Sequence, residues 1–139
     1  MKDVMLSPLK IIENEKGNIY RALRVDEEAY EGFGEAYFST INFNQIKGWK
    51  KHTNMTMNLI VPVGEIQLVL YDDRYNRNHF SSINLGQNNY QRLTVPPQVW
   101  MAFKGLGSEL NLLLNISNIL HDPSESENMD LDKLAYSWG

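Results

Sequence analysis

Short runs rich in β-branched and aromatic residues follow one another along the chain, separated by glycine, asparagine and aspartate at intervals that suit successive antiparallel strands. They read EAYFSTINF, MNLIVPV, EIQLVLYD, FSSINLG, YQRLTVPP, VWMAFKG and ELNLLLNIS. With no amphipathic pattern of helix length between them, these runs predict an all-β sandwich or small barrel. Residues 1–20 carry one short apolar group, LSPLKII, before the charged turn ENEKGN, which predicts an N-terminal arm or edge strand. Residues 122–139 shift to acidic and polar residues. Asp122-Pro123 marks a turn there, and Tyr136 and Trp138 are placed to pin the tail onto the body. A length of 139 residues predicts one domain, 1–139, with a core that needs no staples.

Because successive strand residues point to opposite faces, the alternation also assigns faces. Over 49–59 the even positions are Lys50, His52, Asn54, Thr56 and Asn58, and the odd ones are mostly apolar. The pattern recurs over 109–117, where Glu109, Asn111, Leu113, Asn115 and Ser117 stand opposite Leu110, Leu112, Leu114 and Ile116. Buried polar atoms are costly unless paired. Such faces therefore look either at solvent or into a cavity that binds something. The dominance of His, Asn and Thr over Lys and Glu favours a ligand-holding lumen.

Charge narrows the partners. The net charge of −4 and the lack of a basic run argue against a nucleic-acid partner. There is no cysteine, which excludes disulfides and thiolate metal sites. No apolar run is long enough to span a bilayer, and MKDVMLSPLKII has no signal-peptide core, so a soluble, cytoplasmic protein is expected, with no membrane partner.

Lys50 and His52 are the candidates for acid/base work, since a lysine beside another cationic group can have its pKa lowered and histidine titrates near neutrality. Asp72, at the end of EIQLVLYD, could orient such a base, or be an ordinary turn residue. Trp49, Tyr90 and Trp100 could stack on a base or sugar, or be core aromatics. Arg92 could hold a phosphate, or form a surface ion pair. Asn58, on the polar face, is a further candidate for substrate contact. The three histidines, His52, His79 and His121, include no His-x-His pair, and Lys50 stands where a second ligand would be. The expectation is therefore no metal and no other cofactor.

In their order and spacing, GFGEAYFS, IKGWKKH, VPVGEIQLVLYDDR, NYQRLTVPPQVWMAF, NLLLNISNILHDPSESE and LDKLAYSW resemble the dTDP-4-dehydrorhamnose 3,5-epimerase family of the cupin superfamily. The resemblance implies a double-stranded β-helix, or jelly roll, with a sugar-nucleotide pocket in the barrel and a homodimer that exchanges N-terminal strands. Enzymes of that family remove the proton beside a sugar ketone with a histidine paired to an aspartate, opposed by a tyrosine acid. In this chain Lys50 stands at the place of the base, His52 follows two residues on, and Asp72 matches the pairing aspartate. The acid's place falls at about Leu120, beside His121. A family lysine falls near Met57 and a pocket histidine at Met101. Lys50-x-His52 also half resembles the His-x-His of keto-isomerising cupins.

The resulting expectation is a metal-independent epimerase or keto-isomerase for a nucleotide-linked keto-deoxyhexose in surface-polysaccharide biosynthesis. Lys50 or His52 would serve as base, Asp72 as its partner and His121 as the proton-returning group. Lys47 and Arg92 would lie on the diphosphate, with Trp49 or Trp100 on the base or sugar. The alternative is a non-catalytic sugar-nucleotide-binding or scaffold protein on the same fold.

Overall fold

The runs of alternating and β-branched residues become strands wherever one face can be buried against a second sheet. A computed structural model describes all 139 residues. The strands are β1 (Met5–Pro8), β2 (Ile11–Ile12), β3 (Ile19–Tyr20), β4 (Glu35–Thr40), β5 (Ile46–His52), β6 (Met57–Val63), β7 (Glu65–Asp72), β8 (His79–Gly86), β9 (Gln91–Val95), β10 (Trp100–Gly105), β11 (Leu112–Ser117) and β12 (Ser126–Met129). A first antiparallel sheet has the order β1-β9-β6-β11-β4, a second the order β12-β5-β10-β7-β8, and β2 and β3 form a separate hairpin. The two five-stranded sheets form the jelly roll. The expected N-terminal arm supplies edge strand β1, paired to β9, and the hairpin. No helix is long and apolar enough to cross a membrane.

Cross-strand partners share a face, so the register states which side chains point inward. The interior holds Met57, Leu59 and Val61 of β6, Ile66, Leu68 and Leu70 of β7, and Leu113 of β11. Lys50 pairs with the core residue Met101 and therefore faces inward, as does His52. The expected single polar face over 49–59 does not form. The strand stops at His52, the chain turns through 53–56, and β6 restarts with its odd-numbered residues inside. Asn58 consequently points outward, beside Thr94. In β11 the predicted face survives, with Asn115 opposite Leu59 and Ser117 opposite Met57. A bulge between Met101 and Phe103 lets Lys47 and Lys50, three residues apart, both face inward.

Part of the polar tail also departs from expectation. Residues Ser126–Met129 pair with β5 as an edge strand. Beyond it Leu131, Leu134, Tyr136 and Trp138 pack on the outer face of the second sheet, against Trp49, Trp100 and Phe80.

At the far end of the barrel one buried side chain ties three connections together. Asn111 Oδ1 accepts from the backbone N–H groups of Glu65 and Gly107, while its Nδ2 donates to the carbonyls of Ile41 and Gly107. The approach is so close that Gly64, at φ +80°, could not carry a Cβ, which would lie 2.3 Å from the Leu110 carbonyl oxygen. Losing the amide removes four hydrogen bonds to backbone groups at a buried or part-buried junction, and only the Gly107 N–H keeps another acceptor, the Glu65 carbonyl. Asn111→Ala is expected to lower stability by about 2–4 kcal/mol in urea unfolding, and a loss below about 0.5 kcal/mol would contradict this role.

Candidate active site

Where β5 ends, the chain must satisfy three successive backbone N–H groups with no strand partner. All three end on Glu125. Thr53 N donates to its backbone carbonyl at 2.7 Å, and Asn54 N and Met55 N donate to Oε2 at 2.9 Å each. The other carboxylate oxygen, Oε1, lies 2.6 Å from His52 Nδ1. Both side chains are buried, with 7% of the His52 side chain and 5% of the Glu125 side chain exposed. Burial pushes the Glu125 carboxyl up, but the bonds from His52, Asn54 and Met55 outweigh it and hold the carboxyl below its ordinary value. An ionised Glu125 can only accept, so Nδ1 carries the proton. In the neutral ring the lone pair is then on Nε2, which makes no hydrogen bond within the chain.

Around this pair the interior is polar on both sheets. Lys50 is half-buried on the same face as His52 and makes no hydrogen bond or ion pair. Across the barrel, Asn115 Nδ2 donates to the Tyr37 hydroxyl at 3.0 Å and approaches Met55 Sδ at 3.7 Å. The Asn115 Oδ1 atom is buried with no partner. His121 and Glu125 line one cleft of about 530 Å³ at this end of the barrel. His121 itself is exposed, and its backbone N–H donates to Glu35.

Asp72 is at the level of His52, two strands away across β10, about 9.5 Å by strand spacing. It orients neither Lys50 nor His52. Its two oxygens take the Arg74 guanidinium at 2.8 and 2.9 Å, and those bonds hold its carboxyl below the usual range.

Six other residues expected in the pocket lie away from this pair, each for an identifiable reason. Lys47 donates to the Thr40 carbonyl at 2.7 Å and stands over the Phe103 ring, toward the other end of β5. Trp49 and Trp100 belong to the outer aromatic cluster, where Lys51 stacks on Trp100. Asn58, Tyr90 and Arg92 hold residues 21–29 onto the outer face of the first sheet, through Ala29 O, Arg21 O, Ala22 O and Glu27. Burial pushes the Tyr90 hydroxyl pKa up, and Arg92 is 1% exposed.

Glu125 and Tyr37 are the interior groups that sequence reasoning passed over. Glu125 sits in PSESE, whose composition reads as a turn. Tyr37 sits in EAYFST, where period-2 alternation puts it on one face but cannot say which face is inside. No group of three His, Cys, Asp or Glu side chains converges as a metal site would require.

Comparison with known proteins agrees with this architecture. No protein-family model matches the sequence. A dTDP sugar isomerase from Desulfovibrio desulfuricans G20 superposes with a TM-score of 0.94 at 37% identity, over 99% of this chain and 91% of that one. A probable low-salt glycan biosynthesis epimerase from Haloferax volcanii is 27% identical over 96% of this chain and 87% of its own length. The dTDP-4-dehydrorhamnose 3,5-epimerase of Elizabethkingia anophelis, at 16% identity, shares the fold with a TM-score of 0.77 over 99% of this chain and 81% of that one. With more than a third of its residues shared with the first of these along nearly its whole length, the chain belongs to the dTDP sugar isomerase family, and it shares its fold with the dTDP-4-dehydrorhamnose 3,5-epimerase.

Proposed function

We propose that this chain is a sugar-nucleotide epimerase or keto-isomerase acting on a nucleotide-linked keto-deoxyhexose in glycan or surface-polysaccharide biosynthesis. The observation that carries this reading is the buried His52–Glu125 pair, which leaves Nε2 as a base inside the barrel. The isomerase and epimerase names of the relatives support the same chemistry.

In the proposed step, the C–H bond beside the sugar ketone breaks and its proton goes to His52 Nε2. The bonding electrons become the C=C of an enolate, leaving negative charge on the former carbonyl oxygen. Lys50, inward and without a partner, supplies positive charge to that oxygen. Return of a proton to the opposite face of the same carbon gives an epimer. A keto isomer forms instead when the proton is delivered to the former carbonyl carbon, while the hydroxyl on the deprotonated carbon gives its proton to the former carbonyl oxygen and becomes the new ketone. His121 on the cleft and Tyr37 across the interior are the groups proposed to return it. Asp72 contributes through Arg74 and not as the partner of the base.

A non-catalytic sugar-nucleotide-binding protein is the second reading. It is favoured by Met57 and Met101, which fill core positions where the family resemblance implies a lysine and a histidine.

The reading includes a cytoplasmic homodimer. Its support is the outer face of the first sheet, where Phe38 is 63% exposed beside the paired Leu114. Light scattering should return twice the 16.1 kDa chain mass; the mass of one chain would remove the dimer.

The test of the chemistry is NMR in deuterated buffer with nucleotide-linked 3-keto and 4-keto hexoses. Deuterium should appear at one carbon beside the carbonyl. His52→Asn should slow that exchange by about 10²–10⁴-fold with the circular dichroism spectrum unchanged. Binding with no exchange at any carbon would sink the enzyme in favour of the binding protein.

A further inference from the structure

A second concavity, larger than the cleft lined by His121 and Glu125, lies away from His52. A cleft of about 730 Å³ opens where β7 turns into β8, and its charged lining comprises Lys2, Arg74 and Arg77 against the single carboxylate of Asp72. Asp72 is already neutralised by its two bonds to Arg74. Asp3 also acts electrostatically on Arg74, so three cations stand against two carboxylates, a local excess of positive charge in a chain with 17 acidic and 13 basic side chains.

The cations are also positioned. Asp72 and the Lys2 carbonyl, at 2.6 Å, fix the Arg74 guanidinium through Nε and one terminal nitrogen. The other terminal nitrogen makes no hydrogen bond within the chain and keeps two donors free. Tyr75 and Asn76 follow in the left-handed region, both at φ 57°. Such a conformation is ordinary for asparagine and unfavourable for tyrosine. The Tyr75 ring lies 5.3 Å from Lys2 Nζ and 5.5 Å from Arg74 Cζ, so the turn holds a ring against two cations. The same turn brings Arg77 back, with its N–H on the Arg74 carbonyl at 3.2 Å. Arg77 is exposed and makes no ion pair.

From this geometry we infer that the β7–β8 cleft is a diphosphate site, formed by the guanidinium groups of Arg74 and Arg77 and the ammonium of Lys2. A planar guanidinium with free donors matches phosphoryl oxygens, and two of them with an ammonium suit a ligand bearing two phosphoryl groups. The diphosphate is either free or part of a sugar nucleotide. The second source rests on the function proposed above. It is supported by Asp72, which lines the cleft and lies at the level of His52, about two strand spacings or 9.5 Å away, a separation that a hexose can bridge. It also replaces the expected diphosphate contacts, because Lys47 and Arg92 are held by Thr40, Ala22 and Glu27.

Isothermal titration with pyrophosphate and with dTDP tests the site on the wild type, on Arg77→Gln, on Lys2→Gln combined with Arg77→Gln, and on His52→Asn. The wild type should bind pyrophosphate, Arg77→Gln should weaken it at least tenfold, the double variant should weaken it further, and His52→Asn should bind as the wild type does. An equal loss for dTDP identifies the nucleotide as the source, whereas a loss confined to pyrophosphate identifies the free anion; both support the site. No pyrophosphate binding by the wild type, or unchanged binding by the double variant, overturns it. His52→Asn separates the two proposals, since it removes the exchange chemistry and leaves the anion site intact.

Discussion

The carboxylate of Glu125 is the constraint on which the rest of the site depends. The chain leaves β5 at His52 and must reverse direction and strand parity before β6 begins. Glu125 takes the three N–H groups of that turn, one on its backbone carbonyl and two on its side chain, and takes the His52 ring as well. Each bond to the charged carboxylate contributes about 1.5–3 kcal/mol, which offsets the cost of burying it. The carboxyl therefore stays ionised, and its charge fixes the tautomer of the histidine. Structure and chemistry share one group here: the contact that closes the turn also turns the base toward the interior.

The same turn explains how one barrel accommodates a polar site and an apolar core. Before it the even-numbered residues of β5 face inward, and after it the odd-numbered residues of β6 do. Lys50 and His52 enter the lumen, while Asn58 goes outside to hold residues 21–29 with Tyr90 and Arg92. The bulge opposite Ala102 adds Lys47 to the inner face, where it reaches Thr40 on the edge of the first sheet. On the outside, the aromatic tail seals Trp49 and Trp100. The polar groups left inside are those placed to meet a ligand. The cationic cleft lies at the same end of the barrel, because β7 and β10 are in register with β5.

Strand identity was legible because it rests on local alternation. The seven runs appear as strands with small shifts at their ends, and a shared face for Lys50 and His52 follows from period two, while the pairing with Met101 shows that face to be the inner one. Face assignment across 53–58 was not legible, because the parity change depends on bonds donated to Glu125, seventy or more residues away in sequence. For the same reason Asp72 was the natural partner for the base in sequence terms. It lies at the right level on a neighbouring strand, but Arg74, two residues on, competes for it locally and takes both oxygens. Arg92 shows the converse limit. An arginine in a β-strand suggests a phosphate ligand, and only tertiary structure reveals the part-buried Glu27 and Ala22 contacts that occupy it.

Glu125 fixes His52 as an Nδ1–H imidazole with its basic nitrogen inside the barrel. Nitrogen-15 NMR of the neutral His52 ring tests this directly. The wild type should show a protonated Nδ1 and a bare Nε2, with that preference weakened in Glu125→Gln. A wild-type ring that carries its proton on Nε2, or one unaffected by Glu125→Gln, would contradict it.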